Sequence, residues 1–456
     1  MTLHKHMTIL DKTLSLCPVC LRRIPAQRVG AGEKVYLVKS CPDHGSFKTL
    51  IWDGSPAFQS WKRPKIHTTP PVTYRSMEAG CPFDCGLCPD HRQRSCTIIL
   101  EVTSRCNLSC SFCYADAGGS PADPDLETLK GWFRSAAEAG GKCNVQLSGG
   151  EPTLRDDLPE IVAMGRKYGF TFIQLNTNGI RLARDAGFLR NLKAAGLDSI
   201  FLQFDGLTPQ THEKIRGRNL VAEKLAAVSA CGDHDIGVVL VPTLVPGVNG
   251  DEIGALIVKA MALSPVVRGI HFQPVSYFGR FPKAPSDEDR ITLPRLMRAI
   301  ESQTRGFMKA EDFKPPGCEN ALCSFHASYL LMENKTPKLL GGNRSCCDET
   351  PEPAEEGAAR AIARVAGQWS APADPLPVAH RNPGFQPADP VLSLDDFLLY
   401  ARQNTFSVSA MAFQDVWNLD LERLRDCCIH IMKPNGDLVP FCAYNLTAAD
   451  GRSLYR

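Results

Sequence analysis

Between residues 97 and about 280, short apolar runs alternate with amphipathic stretches. Thr97–Val102, Asn144–Ser148, Phe170–Asn176, Ser199–Asp205, Gly237–Leu244 and Gly269–Val275 predict six strands. Between them, Leu126–Ala139, Leu158–Tyr168, Leu182–Ala195 and Ala222–Cys231 carry the period of helices. Such alternation predicts an α/β fold, a parallel sheet with crossover helices whose ligands sit at the carboxyl ends of the strands. Residues 1–96 read as a separate Cys-rich region, punctuated by Pro and Gly, with one strand-like run at Lys34–Lys39. Residues 285–456 form a third region. Within it, residues 348–392 are rich in Pro, Ala and Glu and read as a linker, with Ala358–Val365 a short exposed helix. Further on, Asn435-Gly436 between two apolar runs predicts a hairpin that brings Cys428 and Cys442 onto neighbouring strands.

The chain has 456 residues, enough for two or three domains. Its net charge of +2 gives no electrostatic case for nucleic acid or an anionic membrane. No apolar stretch reaches the roughly 20 residues of a membrane span. The N-terminus, Met1-Thr-Leu-His-Lys-His-Met7, is polar and lacks the apolar run of a signal peptide, so the expected location is cytoplasmic. Nineteen cysteines change the picture. In a large chain without an export signal, clustered Cys pairs and triplets point to metal rather than to a disulfide framework.

Cys106-x3-Cys110-x2-Cys113 directly follows the first barrel strand. Three soft ligands on one loop can hold three corners of a [4Fe–4S] cube and leave the fourth iron open. A structural zinc knuckle is the competing reading of that spacing. Cys81, Cys85 and Cys88 repeat the spacing without a preceding strand. They suit an auxiliary [4Fe–4S] cluster with Cys96 as fourth ligand, or a second zinc knuckle. Near the N-terminus, Cys17, Cys20 and Cys41 flank the Lys34–Lys39 run as the knuckles of a ribbon for one zinc or iron, completed by His44 or by a Cys from elsewhere. The last region holds seven cysteines. One further cluster is drawn there from Cys318, Cys323, Cys346 or its neighbour Cys347, Cys428 and Cys442. Gln203 and Asp205 close the fourth strand, free to reach a ligand, with an N-cap of the next helix the other reading of Asp205.

The Cys106–Cys113 loop, Gly149-Gly150-Glu151-Pro152 after the second strand and Asn176-Thr177-Asn178-Gly179 after the third together resemble the radical S-adenosylmethionine (SAM) superfamily. The resemblance implies a partial (β/α)6 barrel over 97–284, flanked by the N-terminal metal-binding region and a C-terminal auxiliary-cluster domain. It implies that Phe112, Tyr114, Gly149, Gly150, Glu151, Pro152, Asn176, Asn178, Gln203 and Asp205 bind the cofactor. Val241–Asn249 would lie against adenine and Gln273–Tyr277 would face substrate. The implied chemistry is reductive cleavage of SAM to a 5′-deoxyadenosyl radical that takes hydrogen from an unactivated carbon. The expected cofactors are a SAM-binding [4Fe–4S] cluster, SAM, one or two auxiliary [4Fe–4S] clusters and a mononuclear zinc or iron. An external donor such as ferredoxin or flavodoxin would supply electrons.

The string Cys17-Pro-Val-Cys20…Cys41-Pro-Asp-His44-Gly and the run Cys81–Cys110 further resemble a branch that includes class D pterin methylases and archaeal tetraether lipid synthases. A soluble pterin or a lipid alkyl chain is then the expected substrate, with a C–C bond as the product. A non-catalytic iron–sulfur carrier or redox sensor is the alternative that the cysteines alone allow.

Overall fold

The computed structural model describes residues 7–119, 122–141, 143–341, 351–372 and 394–456. Four antiparallel strands come first, β1 (Thr8–Leu16), β2 (Arg23–Ala31), β3 (Lys34–Cys41) and β4 (Gly45–Asp53), paired in chain order. Alternation of buried and exposed positions, as in Val35, Leu37 and Lys39 of β3, gives this sheet one inward face. The buried Lys39 amine donates to Val416 O at 2.7 Å and Ser15 Oγ at 3.0 Å, and Arg28 pairs with Asp420 at 2.6 Å. The ribbon is therefore clamped to the far end of the chain.

After a two-residue pairing strand, β5 (Lys65–Ile66), the expected alternation begins. It runs β6 (Thr97–Thr103), α1 (Leu126–Gly140), β7 (Asn144–Gly149), α2 (Leu158–Lys167), β8 (Ile173–Thr177) and α3 (Ala186–Ala194). Then come β9 (Ser199–Gln203), α4 (Pro209–Arg216), α5 (Val221–Asp233), β10 (Gly237–Val241) and the short β11 (Thr243–Leu244). α6 (Ile253–Ala262), β12 (Val267–Pro274) and α7 (Leu293–Gln303) complete the series. Side-chain caps set several helix starts. Asp125 accepts from Thr128 N, Asp185 from Phe188 N, and Thr208 from Thr211 N. Asp185 explains why α3 starts four residues later than its apolar pattern suggested.

The remaining elements are β13 (Ser324–Leu331), β14 (Pro337–Leu339), β15 (Glu352–Pro353), α8 (Ala354–Trp369) and α9 (Leu394–Asn404). They end with β16 (Thr405–Met411), α10 (Leu421–Arg425), β17 (Ile429–Met432), β18 (Leu438–Pro440) and α11 (Phe441–Tyr444). The six expected strands lie side by side as β12-β10-β9-β8-β7-β6, all parallel. The sheet continues beyond both ends. β16 pairs parallel with β12, and β17 pairs parallel with β6. β13 and β18 then close the two flanks antiparallel. Leu100, Val145, Leu147, Leu175, Leu202, Val238 and Ile270 pack outward against the helices in one continuous core.

Two expectations for the last region need correction. α8 is no exposed linker helix: Ala354, Gly357 and Ala358 are buried, and the helix packs against β10, β12 and β16. Cys428 and Cys442 do not share a ladder. The hairpin forms, with His430 opposite Pro440, but Cys442 already belongs to α11. Pro440 sets that helix start, since its ring removes the donor the ladder would use next.

Candidate active site

The loop that leaves β6 carries Cys106, Cys110 and Cys113 to the carboxyl end of the sheet. Cys113 and Arg280 exchange backbone hydrogen bonds of 3.0 Å each, and Arg280 Nε donates to Cys110 O at 3.1 Å. Ser111 N–H donates to Ile215 O at 3.1 Å. The thiols are thus placed on backbone fixed from two directions. Burial pushes the Cys106 thiol up to about 11, and the neighbouring charges of Glu151, Cys110 and Cys113 add to it. Bound iron would remove that penalty, so the donor set fits an iron–sulfur cluster.

Gly149 and Gly150 end β7 beneath this loop. A Cβ on Gly149 would meet Thr103 O at 2.1 Å, and one on Gly150 would meet Arg105 O at 2.1 Å. Only glycine lets the two chains approach so closely. Glu151, 1% exposed, takes three donors on one oxygen: Thr153 N at 3.1 Å, Thr153 Oγ1 at 2.6 Å and Thr177 Oγ1 at 2.6 Å. Its other oxygen accepts from Asn178 N at 2.7 Å. Its carboxylate therefore ties the end of β7 to the end of β8, besides lining the cavity.

One cavity of roughly 370 Å³ runs inside the sheet. Of the residues expected at the cofactor, Phe112, Tyr114, Gly149, Gly150, Glu151, Asn176, Asn178 and Gln203 line it with the three thiols. The Tyr114 hydroxyl bonds Ser148 Oγ at 2.8 Å, and Asn178 Nδ2 donates to Asn107 Oδ1 at 2.7 Å. Asn176 Oδ1 is buried without a partner, as an acceptor awaiting a ligand would be.

Two expected residues lie elsewhere. Pro152 opens a single 3-10 turn behind the glycines. Asp205 is fully buried in a bidentate pair with Arg216, both contacts 2.7 Å, and also accepts from Thr243 N at 3.0 Å. It does not line the cavity, and the cap of α4 is Thr208. Burial alone would raise the Asp205 carboxyl; Arg216 overrides that and holds it below its ordinary value. Arg216 in turn lines the cavity and fixes Gln203, whose carbonyl accepts from its Nη1 at 2.9 Å. Sequence reading missed Arg216 and also the buried Lys224. Burial lowers that amine to about 8 against the pull of Asp205, and it donates to Asn178 O at 2.5 Å.

Below this end, α8 crosses the opposite mouth as a floor. Asn144, Gln146, Phe201, His271, Gln368 and Trp369 line the lower cavity. At its edge Cys96, Cys318 and Cys428 bring their sulfurs within 4.8 Å of one another. Cys96 therefore leaves the Cys81 group to which its position in the chain assigned it. The structure joins Cys96 to Cys318 in a disulfide whose Cα atoms are 7.3 Å apart, wider than the roughly 4.4–6.8 Å such bonds usually span.

The remaining cysteines sort by space. Cys81 and Cys85 shift each other's thiols, Cys81 down and Cys85 up, and Cys88 raises Cys85 further. Cys323, Cys442 and the unexpected Cys427 sit within one another's fields, and Arg423 Nη2 donates to Cys323 Sγ at 3.4 Å. Cys346 lies outside the described residues. In the ribbon, Cys17, Cys20, Cys41 and His44 gather their donor atoms within 4.8 Å, an arrangement that could hold a metal ion with His44 as the fourth donor. The 3.8 Å between Cys20 and Cys41 sulfurs matches the ~3.8 Å edge of a tetrahedron with metal–sulfur bonds of about 2.3 Å. Cys143 and Cys231 are core residues. Among the described residues, no helix is long and apolar enough to cross a membrane.

Comparison with known proteins gives the following. Residues 100–260 match the radical SAM superfamily, and residues 9–53 match a family described as the HMPTM N-terminal zinc ribbon domain. The 7,8-dihydro-6-hydroxymethylpterin dimethyltransferase of Methanocaldococcus jannaschii is 34% identical over 95% of this chain and 93% of its own. A probable GTP 3',8-cyclase of Methanothermobacter thermautotrophicus is 32% identical over 36% of this chain and 53% of its own. Among solved structures, Streptococcus suis SuiB bound to precursor peptide SuiA aligns with a TM-score of 0.40 at 14% identity, covering 47% of this chain and 46% of that one.

Proposed function

Because the chain belongs to the radical SAM superfamily, with a [4Fe–4S] cluster and SAM as its cofactors, we propose that it methylates a reduced pterin. The observation that carries this is the near full-length likeness to a pterin dimethyltransferase, which spans the C-terminal residues that build the cavity floor as well as the barrel. The cavity supports it. Asn144, Gln146, Asn176, Gln203 and Gln273 line its wall; an alkyl chain would leave these amides unpaired, whereas a polar heterocycle would engage them. Lipid coupling therefore has no observation in its favour, and a pure electron carrier has no use for such a cavity.

Cys106, Cys110 and Cys113 would hold the SAM-binding cluster. Gly149, Gly150, Tyr114, Asn178 and the Arg216–Gln203 pair would position SAM beside it. When bound, cluster and SAM supply a carbon-centred oxidant able to take hydrogen from an unactivated C–H bond. The chain's own contribution is to enclose that event: the sheet, α8 and the buried aromatic residues keep water and stray hydrogen donors out. With the Cys96–Cys318 disulfide reduced to free thiolates, Cys96, Cys318 and Cys428 would serve as ligands of an auxiliary cluster at the floor, and Cys81, Cys85 and Cys88 as ligands of another. Low-potential electrons from a ferredoxin or flavodoxin and a reducing, cytoplasmic setting suit this chemistry.

The test is anaerobic reconstitution of the full chain with iron and sulfide. It is followed by incubation with dithionite, SAM, 7,8-dihydro-6-hydroxymethylpterin and a methylene-tetrahydrofolate as the one-carbon donor, with mass spectrometry of nucleosides and pterins. We expect 5′-deoxyadenosine and a pterin heavier by a methyl group, both lost in Cys110→Ala. A pterin left unchanged while 5′-deoxyadenosine accumulates would defeat the substrate assignment.

A further inference from the structure

The inward face of β7 reads Asn144, Gln146, Ser148, and then Gly150 at the cofactor end. Central strands of a parallel sheet are normally apolar on both faces. Here the outward positions Val145 and Leu147 obey that rule and the inward ones break it. Alternate residues stand about 6.6 Å apart along a strand, so Gln146 lies roughly 13 Å below Gly150. That separation leaves room for a bicyclic ring between the amides and the SAM-binding end.

Protein structure does not satisfy these amides. Asn144 is 2% exposed, and its Oδ1 has no partner, while its Nδ2 makes only a long 3.5 Å contact to Ile362 O of α8. Gln146 is oriented by Gln174 Oε1 at 2.8 Å and by Asn176 Nδ2 at 3.3 Å, which leaves one N–H and one lone pair for a ligand. Three rings pack together in the same lower half. Trp369 lies 5.5 Å from Phe201 at 34° and 6.0 Å from His271, and Phe201 lies 5.3 Å from His271. Of their ring nitrogens, Trp369 Nε1 is taken by Ser407 Oγ at 3.1 Å and His271 Nδ1 by Ser409 Oγ at 2.8 Å. An aromatic wall in one cavity with unpaired carboxamides suits a flat heterocycle with a hydrogen-bonding edge.

We infer that Asn144 and Gln146 read the 2-amino-4-oxo edge of the pterin at the floor of the barrel, with Trp369, His271 and Phe201 forming the apolar wall beside it. This placement rests on the reading that the substrate is a reduced pterin. A carboxamide sets a donor and an acceptor side by side. The pterin edge offers the complement: two N–H donors, from N3 and the 2-amino group, for the unpaired acceptors, and a carbonyl for the free amide hydrogen. Turned this way, the ring presents its opposite edge to the thiol loop.

The experiment measures dissociation constants on the anaerobically reconstituted full chain. The ligands are 7,8-dihydro-6-hydroxymethylpterin, its 2-oxo (lumazine) analogue and SAM; the proteins are wild type, Asn144→Leu and Gln146→Leu. Each variant should bind the dihydropterin about tenfold more weakly and lose the wild type's preference for the 2-amino over the 2-oxo ring, with SAM affinity preserved. Unchanged pterin affinity in both variants would overturn the placement. So would a parallel fall in SAM affinity, since the amides would then be holding the barrel rather than the substrate edge. A wild type that binds neither pteridine would instead defeat the pterin reading itself, whatever the variants do.

Discussion

At the scale of single residues, the most consequential contact is one between two buried charges, of which only Arg216 reaches the cavity. Asp205 and Arg216 are 0% and 4% exposed and neutralise each other with two 2.7 Å contacts. Asp205→Asn would leave a buried guanidinium unpaired and should cost about 3–5 kcal/mol of stability. Anaerobic denaturant titration would measure it, and Asp205→Leu combined with Arg216→Met should recover most of the loss. None of this was legible in the sequence, because an acid at a strand end looks the same whether it faces a ligand or an arginine eleven residues on. The thiol loop and Gly149-Gly150 were legible, since spacing and residue type alone fix what they can do. The neighbouring pair Cys427-Cys428 was not. Adjacent residues in the extended chain that enters β17 point to opposite faces, so Cys428 joins Cys96 and Cys318 while Cys427 joins Cys323 and Cys442. A better signal lay in the strands themselves. Asn-Val-Gln-Leu-Ser and Gly-Ile-His-Phe-Gln alternate polar with apolar residues in strands that have to be buried on both faces.

At the scale of elements, the six barrel strands and most of their helices could be read from periodicity, and α8 could not. Its segment lies in a stretch whose composition suggests a linker, yet positions 354, 357, 358, 361, 362, 365 and 369 form the inward stripe of an amphipathic helix. Small residues on that stripe let the helix sit close. A Cβ on Gly357 would meet Gly317 O at 2.1 Å, whereas one on Gly367 meets nothing within 4 Å. Both Gly→Ala changes raise helix propensity by about 1 kcal/mol, so they separate propensity from seating. Gly367→Ala should stabilise the floor. Gly357→Ala should lift it, speeding amide hydrogen exchange across Ala354–Trp369 and weakening dihydropterin binding. Equal exchange in the two variants would show that the floor does not depend on that close approach.

At the scale of the whole molecule, the chain returns twice to finish what its middle begins. β17 pairs with β6 through Ile429–Ile431, and β16 pairs with β12 through Ser407–Ala410. Neither edge of the six-strand sheet is therefore open to solvent, and the same region supplies α8, Cys318 and Cys428. It also receives the ribbon, through Val416 and Asp420. Composition could not reveal this, because strand pairing between residues more than 130 apart leaves no local pattern. A fragment ending at residue 284 would keep every motif by which the fold is identified. It would also expose two parallel edges, a lower cavity without its floor, and the buried cations Lys39 and Arg28 without Val416 and Asp420. Anaerobic size-exclusion chromatography should find it aggregated, and binding assays should find no SAM affinity in whatever remains soluble. A monomeric fragment with intact SAM binding would mean that the last third only adds metal centres to a barrel already complete. Aggregation would mean that the barrel and its floor form a single folding unit, so that whatever substrate this chain takes is selected by residues of the barrel and of the last third together.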